Sequence, residues 1–354
     1  MVLSTAARRS DLVLDKSRDF LIDPLRSVVL SLASEVSWEL DSIAIYATLV
    51  KPSGAGPYAG VVMVAGSGPT DRDWNSPLLP GTRGSAGLIA QALAEAGIAS
   101  LRYDKRASGP HAPKNAQALF GQFSMQSHMD ELAGAVRTLA QQPEICADRI
   151  FAVANSEGTL HAINYQVSRP PIPFAGLVLV APPGRSVGRV AHTQLAEQAA
   201  QLPNGADLLE RYDAAVARFL ANEPVVVDPT LPEGVQNVIR ALIAPANQPF
   251  ARELWTAEAT SLLPRLETPA LIVIGKMDIQ VDWRADGDPL QRAVAGRQNV
   301  TFVFPDHANH VLKYEPQPRS ELVAADVLAG YNGPEAQLDP DAVKIVLDWL
   351  AAHT

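Results

Sequence analysis

The chain has 354 residues, 47% of them hydrophobic and 19% charged, and its 29 Lys and Arg against 38 Asp and Glu leave a formal charge of -9. That length and apolar fraction exclude a disordered or fibrous chain, and an acidic balance without a basic block argues against nucleic acid or an anionic membrane as partner. Cys146 is the single cysteine, which excludes an intrachain disulfide and a cysteine-based metal cluster.

From the N-terminus, Arg8 and Arg9 are followed by Asp11, Asp15, Lys16, Arg18 and Asp19, which interrupt any signal-peptide pattern. The apolar run around Ser27–Ala33 is too short to span a bilayer, so the expectation is a cytoplasmic chain without membrane insertion. Glu35–Leu40 alternates and Ile43–Lys51 is a second strand-like run, together an antiparallel pair at the start of a sheet. Gly60–Ala65 is continuously apolar, as in a strand buried on both faces. Helical periodicity over Ser85–Ala96 stops at Gly97; a strand at Ile98–Tyr103 and a helix at Ser127–Gln142 follow. Arg149–Ala154 is a third buried strand with a helix at Thr159–Val167, and Gly176–Ala181 is a fourth.

The alternation lapses between Ser186 and Pro264. That stretch is helical in pattern over Gln194–Leu202, Ala206–Ala221 and Val235–Ile243, and is broken by Pro203, Pro224, Pro229, Pro232, Pro245 and Pro249. An insertion of this length between core strands reads as a cap over the strand ends. Strands at Ala270–Gly275 and Val300–Phe304 resume the alternation and a helix at Asp341–Ala352 closes it. The expected organisation is therefore a core over 1–185 with an N-terminal extension 1–34, a helical cap over 186–264, and the rest of the core over 265–354. Strands alternating with helices specify an α/β fold with a mostly parallel sheet, helices on both faces, and sites at the C-terminal strand ends.

At those ends stand the residues able to carry chemistry. Ala154-Asn155-Ser156-Glu157-Gly158 lies between a buried strand and a helix, with small residues two before and two after the serine, as a nucleophile elbow requires. A serine hydroxyl needs a base to take its proton and an acid to orient that base. Asp278 follows the strand at 270–275, whereas Asp282, Asp286 and Asp288 lie further out and read as solvated loop charges. His307 and His310 both follow the strand at 300–304, and spacing alone does not separate them; His128, His161 and His192 follow no such strand and read as structural or cap residues. For the oxyanion hole, the backbone N–H of Glu157 is one donor and that of Ser67, in the loop Ala65-Gly66-Ser67-Gly68-Pro69, is the other. A dinucleotide-binding loop would need a third glycine where Asp71 stands. Asp71, Arg72 and Asp73 read as a charge network bracing the loop, Trp74 as an acyl-pocket wall, and Lys105 and Arg106 as structural charges. There is no HxxxH or HxH pair, no metal site is expected, and the mechanism needs no cofactor.

Five strings in order, VAGSGPTDRDWN, LRYDKRASG, ANSEG, GKMDIQV and ANHVLK, make the chain resemble the α/β-hydrolase superfamily, most of all its serine esterases and dienelactone-hydrolase-like or aminopeptidase-like hydrolases. The resemblance runs from about Ile43 to the C-terminus, with 186–264 in the position of the variable cap. It implies Ser156 as nucleophile, Asp278 as acid and His310, after Asn309, as base, leaving His307 a surface or supporting residue. Ala154 departs from the commoner glycine of the elbow, and Ala65 stands where many relatives have histidine. The expected activity is that of a carboxylesterase on small-molecule esters through an acyl-enzyme. An amidase or aminopeptidase, a thioesterase, an acyltransferase and a non-catalytic ligand-binding relative are the alternatives on the same fold.

Overall fold

The computed structural model describes residues 31–354. The charges from Arg8 to Asp19, and with them almost all of the expected N-terminal extension, lie outside the described residues. Among the described residues no helix is long and apolar enough to cross a membrane.

Eight strands form one sheet in the order β1-β2-β4-β3-β5-β6-β7-β8. They are β1 (Leu32–Leu40), β2 (Ile43–Lys51), β3 (Tyr58–Val64), β4 (Ala99–Tyr103), β5 (Ile145–Asn155), β6 (Gly176–Val180), β7 (Ala270–Val273) and β8 (Val300–Val303). β1 and β2 pair antiparallel from Leu32↔Lys51 to Leu40↔Ile43. The two residues joining them, Asp41 and Ser42, have φ of 51° and 62°, the left-handed pair that matches a hairpin turn to strand twist. β2 also runs antiparallel to β4, and every pair from β4 to β8 is parallel. The parallel strands are the continuous apolar runs of the sequence: Val61, Val62, Ala152, Val153, Val178, Leu179, Ile272 and Val273 are all buried. Each Val or Leu so buried contributes about 1.5–3 kcal/mol.

Helices cover the sheet in two layers that can be told apart by their neighbours. Ser85–Glu95 packs on β2 and β4 and meets Pro340–His353, whereas Met125–Ala140 and Glu157–Val167 meet each other and pack on β3 and β5. Ser124 caps the helix Met125–Ala140 reciprocally with Ser127.

The stretch after β6 folds as the helices Val187–Ala199, Gly205–Leu220, Glu233–Ile243 and Phe250–Thr256. The first starts well before the expected Gln194, because the Ser186 side chain accepts from the Arg189 N–H and caps it there. Leu208, Tyr212, Phe219, Leu231, Val235, Ile239, Leu242 and Trp255 make a hydrophobic core separate from that of the sheet. Ala259 and Leu263 already belong to the main core, short of the expected boundary at 264. One expectation is corrected outright: Asp286 is not a solvated loop charge. It is 1% exposed and binds Arg185 at 2.8 Å, an interaction between segments far apart in sequence that holds the loop after β6 against the loop after β7. Asp282 is half-buried and pairs with Arg319 at 2.9 Å, while Asp288 is exposed as expected.

Candidate active site

β5 runs into Ser156 without a break in the ladder, since the Ser156 N–H still donates to the Val180 carbonyl of β6 at 2.8 Å. One residue later the chain is helical, and the Ser156 carbonyl accepts from the Thr159 N–H at 2.9 Å and the Thr159 hydroxyl at 2.6 Å. The reversal falls on Ser156, whose φ of 52° and ψ of -124° lie outside the regions favoured by L-residues. Such strain persists only where the surroundings enforce it, and it concentrates at functional sites. Ala154 is fully buried, so the elbow's first small position accommodates a methyl group. Gly158 has no such room: a Cβ there would lie 2.5 Å from the Ala65 carbonyl oxygen and 2.8 Å from that of Val64. Because both obstacles are backbone, Gly158→Ala is expected to destabilise the fold by about 3 kcal/mol in urea unfolding. Gly234→Ala, a helical site with open space around it, should stay within about 1 kcal/mol of wild type.

Asp278 and His310 come together at the ends of β7 and β8. His310 Nδ1 lies 2.8 Å from Asp278 Oδ2, with Asp278 fully buried and His310 nearly so. The other carboxylate oxygen, Oδ1, accepts from the backbone N–H groups of Gln280 at 2.7 Å and Val281 at 2.9 Å, so the carboxylate cannot rotate freely. The base loop is tied to the elbow by Asn155, whose Nδ2 donates to the His310 carbonyl at 2.9 Å. Among the described residues no hydrogen bond joins His310 Nε2 to the Ser156 hydroxyl; such bonds are often long before substrate binds. His307 is exposed, 5.3 Å from the Tyr314 ring, and takes no part in the pair.

The loop after β3 closes over the elbow. A Cβ on Gly66 would lie 3.3 Å from Ser156 Cβ and 3.1 Å from Asn155 Oδ1, so only glycine brings the loop this near without displacing a neighbour. Ser67 follows Gly66 in this loop and is exposed, and Glu157 opens the helix after the elbow. The charges behind this loop brace it. Arg72 binds Asp104 at 2.7 Å and Glu35 at 2.7 Å, Arg102 binds Asp73 at 2.5 Å, and Asp71 Oδ1 accepts from the Asp73 and Asn75 N–H groups. Trp74 has a φ of 66° and is buried, with an indole N–H that has no partner among the described residues.

Sequence reasoning missed what lies under the elbow. Lys105 is buried and donates from Nζ to the Gly66 carbonyl at 2.6 Å and the Gly68 carbonyl at 2.8 Å. Beside it, Glu157 Oε1 lies 3.2 Å from His161 Nε2, the His161 and His128 rings are 4.7 Å apart, and His128 Nδ1 lies 3.3 Å from Glu131 Oε2. Arg106 Nε binds Glu131 at 2.9 Å, and the Phe250 ring, from the last helix of the inserted segment, sits 4.7 Å from His128. Burial works to raise the Glu157 carboxyl, and the His161 hydrogen bond with the Lys105 charge overcomes it, leaving it at about 2. Burial opposes ionisation of Glu131 too, yet His128 and Arg106 hold it below its ordinary value. Burial pushes the Lys105 ammonium and the His161 imidazole down.

Ligand atoms of His128, Glu157 and His161 lie within 4.8 Å of one another, a spacing that a metal ion could use. Glu157 and His161 already bond each other, however, and Lys105 and Arg106 balance the two buried carboxylates. A divalent ion would add uncompensated positive charge to a buried site, so the donor set does not fit one. The cluster was not visible as a motif because its histidines stand on different helices.

A buried acid–histidine pair and a strained serine at one end of a sheet can together perform acyl transfer. A family model described as serine aminopeptidase, S33, matches residues 82–317, a span that includes Ser156, Asp278 and His310 but not the loop at 66–68. Esterase EstD of Thermotoga maritima is 24% identical over 269 residues, covering 74% of this chain and 56% of the esterase. The chain thus spans little more than half the length of that curated relative. Among solved structures, proline iminopeptidase of Mycobacterium smegmatis has a TM-score of 0.52 at 16% identity, over 90% of this chain and 98% of that one. The α/β hydrolase GrgF of a Penicillium species has a TM-score of 0.53 at 18% identity, over 91% of this chain and 99% of that one. The sheet order and these likenesses make the fold that of an α/β hydrolase.

Proposed function

Because the chain belongs to the serine aminopeptidase S33 family of α/β hydrolases, we propose that it is a serine hydrolase cleaving carboxylic esters, with Ser156 as nucleophile, His310 as base and Asp278 as the acid that orients it. The observation that carries this reading is the strained Ser156 turn at the same sheet end as the 2.8 Å Asp278–His310 pair. His310 takes the Ser156 proton as Oγ bonds to the acyl carbon, and the carbonyl oxygen takes up negative charge facing the Ser67 and Glu157 N–H groups. As the tetrahedral species collapses, the carbon–oxygen bond breaks and the alcohol leaves with the proton from His310. Water, deprotonated by His310, then releases the acid and restores Ser156. The helical segment 187–256 is the cap in this reading, and Trp74 a wall of the acyl pocket. The mechanism calls on no cofactor.

Two features favour an ester over an aminoacyl amide. The curated relative is by name an esterase. In this chain Glu157, the carboxylate next to Ser156, is buried against His161 and Lys105 and so is not offered to a substrate ammonium group. The family's description keeps an aminopeptidase as the second reading. A p-nitrophenyl ester chain-length series run beside aminoacyl p-nitroanilides separates them. The expected result is saturable turnover of the esters and none of the anilides. Hydrolysis of anilides with a free α-amine, with refusal of their N-acetylated forms and of the esters, would replace the ester reading by the peptidase one.

A further inference from the structure

The loop Gly66-Ser67-Gly68 has little intrinsic preference for the orientation of its peptide planes, since glycine on either side leaves both signs of φ open and Gly68 adopts +73°. All three of its carbonyls are nevertheless held. Lys105 Nζ donates to Gly66 at 2.6 Å and Gly68 at 2.8 Å, and the Thr70 hydroxyl donates to Ser67 at 2.7 Å. In a trans peptide the N–H points opposite to the preceding carbonyl. Drawing the Gly66 carbonyl toward buried Lys105 therefore turns the Ser67 N–H away from it.

We propose that Lys105 is the positioning residue of the oxyanion site: its ammonium fixes the Gly66–Ser67 peptide plane so that the Ser67 N–H donates to the oxygen on which charge develops. The inference rests on the reading of Ser156 as an acyl-transfer nucleophile. Lys105 lies behind the loop and acts through it. An ammonium suits the task because it carries three donors and no acceptor, and its bonds to carbonyls are charge-assisted. Its counter-charge is Glu157, whose own N–H is the other donor. The second donor peptide is held separately, since the Ser156 carbonyl accepts from the Thr159 N–H and hydroxyl. A donor fixed before reaction costs no reorganisation when the oxyanion forms.

The test compares wild type, Lys105→Met and Lys105→Gln for kcat and KM on a p-nitrophenyl ester, per serine titrated by a fluorophosphonate, and for inhibition by an arylboronic acid whose serine adduct mimics the tetrahedral oxyanion. Expected for Lys105→Met is a fall in kcat of about 100-fold with KM within about threefold of wild type. The boronate inhibition constant should rise by a factor that tracks kcat, which a loss of stability alone would not produce. Lys105→Gln, which retains a neutral donor, should fall between the two, and it decides the matter if Lys105→Met does not fold. A Lys105 variant with wild-type kcat and boronate affinity overturns this inference and leaves the hydrolase reading standing. A wild-type protein that neither turns over esters nor binds the boronate overturns both.

Discussion

Ser156→Ala is expected to lower kcat on a p-nitrophenyl ester by roughly 10⁵-fold or more, with the folded state intact. The size follows from the mechanism: without Oγ there is no acyl-enzyme, and what survives is the background catalysis of oriented water and the oxyanion donors. Ser156→Gly makes the same reading from the other direction. The backbone at φ 52° is strained for any residue with a Cβ, so glycine should abolish turnover while stabilising the protein by about 1 kcal/mol. Steady-state kinetics and urea unfolding on both variants check the pair. An alanine variant retaining more than about 1% of wild-type kcat, against the expected loss, would remove Ser156 from the nucleophile's place.

Asp278→Asn should cost about 10⁴-fold in kcat, and its geometry says why. Oδ1 of Asp278 accepts from the Gln280 and Val281 N–H groups, so an asparagine would place its carbonyl oxygen there and turn its NH₂ toward His310. Nδ1 of the ring must then accept, the ring proton moves to Nε2, and the nitrogen that should take the serine proton already carries one. Asp282→Asn is the control: that carboxylate pairs with Arg319 and does not touch the ring, so kcat should stay within about threefold of wild type. Equal losses in the two variants would assign the orienting role elsewhere.

Much of this arrangement is legible before any coordinates are seen, for identifiable reasons. Strands such as Val61–Val64 and Leu177–Val180 are buried on both faces, so their sequences are continuous apolar runs, and parallel strands of that kind must present their ends together. Ser156 and Asp278 follow such runs within a few residues, which makes position along the chain a proxy for position in space. His310 stands further past the half-buried edge strand β8, where spacing does not separate it from His307 and only the resemblance points to it. What stayed hidden depends on contacts between segments with no sequence relation. Asp286 looks like a loop charge until Arg185 is brought against it. Lys105 looks like a strand-end cation until the Gly66 and Gly68 carbonyls close around it. His128 and His161 have no motif spacing, and their contact arises from the packing of one helix on another. The start of the helix at Val187 is not legible from periodicity because residues 187–193 mix glycine, arginine, histidine and threonine with apolar positions; the Ser186 cap sets its beginning.

The separate hydrophobic core of the helices between 187 and 256 has a bearing on how such a protein can diverge. Side chains such as Tyr212, Phe219 and Ile239 pack chiefly on one another, so changes among them need no matching change in the strands that carry Ser156, Asp278 and His310. Energetic effects at sites without shared neighbours add almost independently. One part of the chain is thereby free to explore new shapes over generations while the other is held to its geometry, and the seam where they meet, at Phe123, His128 and Phe250, is where the two histories have to agree.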